Sequence, residues 1–137
     1  MNRTLLTCCL IAAATLLTFA IPTRPDVSRC AAIFSGRVFS TEKVEVVTDA
    51  GRDSKWELWR AQVRIRSVFI QDTNFATREW IYYEQNHTNE HASYIMVCPP
   101  RPFIAIGQTN RFYCLRRNVG SATNALFVPE NGWILRL

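Results

Sequence analysis

The chain has 137 residues, 48% of them hydrophobic, and a formal net charge of +5 from sixteen Lys and Arg against eleven Asp and Glu. That is the size of one small domain, with no internal repeat, no low-complexity tract and no run of like charges of the kind that marks a nucleic-acid tail. Fourteen of the sixteen basic residues are Arg, whose planar, weakly hydrated head suits an acidic partner, an anionic surface or a polysaccharide, and equally a plain soluble surface.

The chain opens with Arg3 and then runs apolar over residues 5–20. Thr18 and Ala20 put small residues at the −3 and −1 positions of a cleavage site. Residues 1–20 are therefore expected to be a cleaved signal peptide, and the mature chain to be secreted, or periplasmic or cell-surface in a bacterium. The alternative is a retained anchor, because the run sits at the short limit of the roughly 17–25 residues that span a bilayer. A lipoprotein reading of Cys8 fails, since too little apolar sequence precedes it. Without Arg3 the balance is fifteen basic against eleven acidic residues, or +4.

Residues 21–29 contain Pro22 and Pro25 and read as an extended lead-in to one domain over residues 30–137. Residues 31–40 are apolar and aromatic, with Gly36 placed where a bulge or bend is expected. Residues 43–47 alternate, and Asp49, Ala50 and Gly51 turn the chain. Residues 56–70 have period two: Ala61, Val63, Ile65 and Ser67 on one face, Gln62, Arg64 and Arg66 on the other. The face change at Val68, Phe69 and Ile70 predicts a bulge or the strand's end. Residues 78–84 form a further predicted strand, residues 85–92 a polar loop, and residues 93–98 return to β character. Pro99, Pro100 and Pro102 cannot pair in a central strand. Residues 111–117 and 133–137 are predicted strands; residues 129–132 have hairpin-turn chemistry, and residues 120–126 are assigned a short helix. Six or so short strands with Gly and Pro turns predict an all-β fold, a small closed barrel or sandwich.

The sharpest catalytic-looking string is His87, Glu90 and His91, which fits H-x-x-E-H. In zinc peptidases two such His residues lie one helical turn apart and face the metal, while the Glu activates its water. That mechanism needs a helix, and Asn86, Thr88 and Asn89 compete with helix formation. A polar loop holding both histidines is the plainer reading, so no metal, cofactor or catalytic residue is assigned. Asn86 also begins an N-glycosylation acceptor with Thr88.

Beyond the leader only Cys30, Cys98 and Cys114 remain. They allow three single pairings, each leaving one thiol over. Cys98–Cys114 closes a loop of about 17 residues and is worth on the order of 3 kcal/mol; Cys30–Cys98 is the next choice, and three unbonded buried thiols the bland one. Trp56, Trp59, Trp80, Tyr82, Tyr83 and Trp133 are core aromatics of a small barrel or a stacking platform for carbohydrate or single-stranded nucleic acid.

Residues 30–38, opening with Cys30, resemble the first strand of the netrin-like domains of tissue inhibitors of metalloproteinases. Residues 59–70 look like their second long strand. Residues 78–83, Val97 and Cys98, and Gly107 followed by residues 111–115 are similar to their next strand, their Val-Cys-Gly loop and a Gly-x-x-Tyr strand. The resemblance covers residues 30–117 and implies a closed five- or six-stranded barrel of oligonucleotide-binding (OB-fold) topology. Those inhibitors chelate the protease zinc through a cysteine at the mature N-terminus. Here Ile21 would lead, Pro99 replaces the glycine of the loop, and no inhibitory residue carries over. The expectation is a secreted, non-enzymatic module that binds an extracellular protein or anionic ligand, without membrane contact after cleavage, nucleic acid being a lesser alternative through an Arg-rich face. A small zinc hydrolase using residues 87–91 is the other alternative.

Overall fold

A computed structural model of the chain describes residues 25–49, 54–87 and 101–137. The leader, Cys98, Glu90 and His91 lie outside them, as do the β segment expected over residues 93–98 and the turn at Ala50 and Gly51.

The described residues are all-β. Six strands follow a short 3-10 turn at Val27–Arg29: β1 (Ala32–Asp49), β2 (Ser54–Gln71), β3 (Arg78–Asn86), β4 (Thr109–Val119), β5 (Ala122–Val128) and β6 (Ile134–Arg136). They form one sheet in the order β1-β2-β3-β5-β4-β6. β1 also pairs with β4, so the pairings of five strands close into a ring, with β6 outside it on β4. All the pairings are antiparallel except β3–β5, which is parallel and joins Tyr82 to Phe127 and Tyr83 to Val128.

Period two decides what the ring encloses. Phe34 and Val38 on β1, Ala61 and Val63 on β2, Ile81 and Tyr83 on β3, and Phe112 and Cys114 on β4 share one buried cluster; on β2, β3 and β4 they alternate with more exposed residues, whereas β1 is buried throughout residues 32–36. Phe34 meets Phe75 edge-on at 5.4 Å and Phe112 at 5.7 Å between ring centroids. Each such ring, fully buried, contributes about 1.5–3 kcal/mol. Trp133, brought in by a 3-10 turn at Asn131–Trp133, closes the cluster.

Two expected segments, residues 31–40 and 43–47, are one 18-residue strand. Register shifts at Ile33/Phe34, Ser35/Gly36, Val38/Ser40 and Lys43/Glu45 let it bend while it stays paired with β2 and β4. The irregularity expected at Gly36 is there: a Cβ would strike Arg64 O and Val63 Cγ1 of β2. So is the one at Val68–Ile70, where the register skips Phe69. The short helix expected over residues 120–126 is a strand. Gly120 takes φ +55° at a tight turn, and β5 then buries Ala125, Leu126, Phe127 and Val128 against the ring. Four consecutive buried residues carry no period, which is why the segment reads ambiguously in isolation. The expected hairpin at residues 129–132 is a crossing instead: β6 passes over to β4, pairing Ile134 with Phe112. No helix among the described residues is long and apolar enough to cross a membrane.

Candidate anion-binding site

On the outward face of the ring, register places Arg37 of β1 directly opposite Arg64 of β2, and Arg64 directly opposite Arg78 of β3. Three arginines thus occupy adjacent register positions across three strands, their backbones one inter-strand step of about 4.8 Å apart. The local sequence forces this placement. Gly36 and Val38 are buried, so Arg37 between them points out; Val63 is buried, so Arg64 points out; Ile81 is buried, so Arg78 shares the outward phase with Trp80.

Like charges directly opposite each other destabilise a sheet. Five other cations among the described residues are paired, while Arg29, Lys55, Arg66, Arg111 and Arg136 stand apart from the row without a carboxylate within 4.0 Å. Arg60 is held by Glu42 and stacks 4.1 Å from the Trp80 ring. Arg116 grips Asp72 through Nε (2.8 Å) and Nη2 (2.6 Å). Arg101 and Arg117 share Glu84, and Lys43 lies 3.8 Å from Glu57. Arg37, Arg64 and Arg78 have no carboxylate within 4.0 Å among the described residues. Arg78 instead rests on the Phe39 ring, 4.7 Å from its centroid, a contact that holds a cation without cancelling its charge.

The row lines a cleft of about 340 Å³, completed by Val38, Phe39, Ile106 and Gly107. Gly107 adopts φ +91°, donates its N–H to Val38 O at 2.7 Å, and has open space where a Cβ would stand. Ile106, 63% exposed, supplies an apolar lip. The arrangement suits a ligand carrying several anionic groups spaced by a few ångströms.

The residues singled out from sequence fall as follows. His87 directly follows β3, and its Nδ1 lies 3.0 Å from Glu57 Oε2. Glu57, 8% exposed, also accepts from Trp59 Nε1 at 3.0 Å. Burial pushes the Glu57 carboxyl up, but the Trp59 and His87 hydrogen bonds and the Lys43 charge together hold it below its ordinary value. His87 is thus tied to a buried carboxylate at a strand end; its H-x-x-E-H companions Glu90 and His91 lie outside the described residues. No group of three or more His, Cys, Asp or Glu comes together among the described residues. Asn86 is exposed at the end of β3.

Cys114 is fully buried in the ring, and Cys30 packs against the same cluster. Both are free thiols; burial raises the pKa of each. Cys98, their expected partner, lies outside the described residues. Tyr83 and Trp133 are core residues, and burial lifts the Tyr83 phenol to about 12. Trp80 and Tyr82 stay on the outer face and line a shallow cleft with Arg116 and Asn124.

Reasoning within one strand picks out Arg64 with Arg66, an i, i+2 pair. Arg66 falls beside the irregularity at Ser35/Gly36 and lies outside the cleft. Arg37 and Arg78 escape such reasoning because their relation to Arg64 exists only across strands. The signal that could find them is phase: each is an outward residue in a strand whose alternate positions are buried. No known protein family, curated protein or solved structure matches this chain.

Proposed function

We propose that the protein is a secreted, non-enzymatic binding module whose Arg37–Arg64–Arg78 row takes an extracellular anionic polymer, a sulfated or carboxylated polysaccharide. The single observation that carries this reading is the row itself. Three like charges stand opposite one another in register, with no carboxylate within 4.0 Å to neutralise them among the described residues. A polymer supplies the missing anions at the inter-strand spacing, and the Arg head offers two parallel donors to each sulfate or carboxylate.

The closed five-strand circuit, with its parallel β3–β5 seam, supports the barrel of oligonucleotide-binding topology and netrin-like type that the sequence resembles. Secretion rests on the apolar leader with its small-residue cleavage site.

Dextran sulfate serves as the probe. Exposed charge contacts of this kind contribute about 0.2–1 kcal/mol each. The triple variant Arg37→Gln, Arg64→Gln, Arg78→Gln is therefore expected to bind roughly tenfold more weakly than the parent. Equal retention of parent and triple variant on the polymer refutes the site. Tighter binding to single-stranded DNA than to dextran sulfate moves the assignment to nucleic acid, with Trp80 and Tyr82 as the stacking surface.

A further inference from the structure

The outer face of the sheet carries a second feature, two residues along β1 from Arg37. Register sets Ser67 of β2 opposite Ser35 of β1, Ser35 opposite Arg111 of β4, and Arg111 opposite Leu135 of β6. Phe69, the residue that the β1–β2 register skips, places its ring centroid 4.3 Å from the centre of the Arg111 guanidinium. Leu137 lies beside Thr109, donating its N–H to Thr109 O at 3.1 Å, and Thr109 is opposite Arg37. Ile70 is opposite Ile33, and Ile33 is opposite Tyr113. A continuous strip thus runs from Phe69 through Arg111 to Leu135, with Ile70 at one margin and Leu137 at the other.

The apolar side chains of this strip face water. Phe69 is 54% exposed, Leu135 48% and Leu137 60%, and Val68 and Ile70 beside Phe69 are exposed as well. Phase accounts for this: Asn110 and Phe112 take the buried positions of β4, so Arg111 between them, and Leu135 across from it, turn outward. Exposed apolar surface of this kind marks contact with a partner or a membrane. None of these register positions carries Asp or Glu, and Arg111 has no carboxylate within 4.0 Å among the described residues. The strip is therefore apolar and cationic together, and that combination selects its occupant. A second copy of the chain, docked about a two-fold axis, would bring Arg111 and the adjoining arginine row against their own images as water is excluded. A sulfated polymer offers nothing to Ile70, Leu135 and Leu137. The surface of an anionic phospholipid bilayer offers both halves, negative headgroups for the arginines and the acyl boundary for the apolar side chains.

From this we infer that the strip is a docking surface for an anionic phospholipid bilayer, with Phe69 and Leu135 entering the headgroup–acyl boundary and Arg111 meeting a lipid phosphate. The Phe69 ring occupies a face of the Arg111 guanidinium, and the N–H donors at the edge of that plane stay available to phosphate oxygens. The sequence alone leads to the opposite expectation, no membrane contact after cleavage, because Phe69, Arg111 and Leu135 come together only across strands. The inference does not depend on the arginine row as a polymer site, since Phe69, Arg111 and Leu135 do not line that cleft.

The test is co-sedimentation with extruded vesicles of phosphatidylglycerol and phosphatidylcholine in equal parts, against vesicles of phosphatidylcholine alone. The protein is used without residues 1–20, the leader removed on secretion, so that their apolar run does not itself bind lipid. Binding to the anionic vesicles is expected to be at least about tenfold tighter than to the neutral ones. The double variant Phe69→Ser, Leu135→Ser is expected to bind anionic vesicles about tenfold more weakly while its retention on dextran sulfate is unchanged. Arg111→Gln is expected to lose about fivefold. In the parent, amide exchange at residues 68–70 and 135–137 is expected to slow when anionic vesicles are added, a measurement that serves if the double variant does not fold. The inference is overturned if the parent binds anionic vesicles no better than neutral ones, if the folded double variant binds them like the parent, or if exchange at residues 68–70 and 135–137 is unchanged by vesicles. A parent that dimerises without lipid, with the double variant monomeric, gives the strip to a second copy and overturns the inference too.

Discussion

Arg64 is the central guanidinium of the row, with a like charge on each side. Each such pair destabilises the free protein, by an amount within the roughly 0.2–1 kcal/mol range of cross-strand pairs. Arg64→Gln should therefore raise stability in urea by about 0.5 kcal/mol at low ionic strength, with the gain shrinking as salt screens the row. A loss of stability at low salt would mean that Arg64 has a structural partner. The Asp72–Arg116 pair works in the opposite direction. Two hydrogen bonds from the Arg116 fork, aided by its charge and opposed by burial, hold the Asp72 carboxyl below its ordinary value. A depressed carboxyl stabilises the fold above its unfolded pKa of about 3.9 and loses that contribution as pH falls through its lower folded value. Glu57, also depressed, adds to the same acid loss. Asp72→Asn should flatten part of the stability decline below about pH 4, read by urea midpoints across that range; an unchanged decline would contradict the pair's role.

At the scale of elements, the strands follow from period two wherever a strand is buried on one face only. The alternation of Ala61 and Val63 with Gln62 and Arg64 assigns both faces of β2 from the residues alone. β5 reads as helix because its buried run has no alternation, and the partner of β6 is illegible because the turn at residues 129–132 says nothing about which strand lies beyond it. The bends in β1 are half legible: Gly36 marks one, but the shifts at Val38/Ser40 and Lys43/Glu45 carry no glycine and arise from wrapping a long strand round the core. Gly36→Ala would drive a Cβ into Arg64 O and Val63 Cγ1. It should cost about 1–3 kcal/mol, measured by thermal or urea unfolding. The seams also differ in strength. β1 and β2 share sixteen paired positions, whereas β3 and β5 share two. Hydrogen exchange should therefore open the β3–β5 seam well before the Val38–Val63 region; equal protection of the two would contradict a ring held most weakly there.

For the whole molecule, net charge alone points towards an anionic partner without saying where it sits. The candidate site takes shape only where three strands far apart in sequence align, since Arg37, Arg64 and Arg78 are separated by 27 and 14 residues. The candidates legible in sequence are contiguous strings, and a member of one of them, His87, is tied to Glu57. Folding thus gathers part of a diffuse positive charge into one row of three arginines aligned in register. The most direct measurement is the salt dependence of dextran sulfate binding, for the parent and for the triple Arg→Gln variant. If the row releases counterions on binding, log affinity should fall linearly with log salt, and losing three contacts should make that slope shallower by about two. A triple variant with the parent's slope and affinity would contradict the arginine row as the binding site.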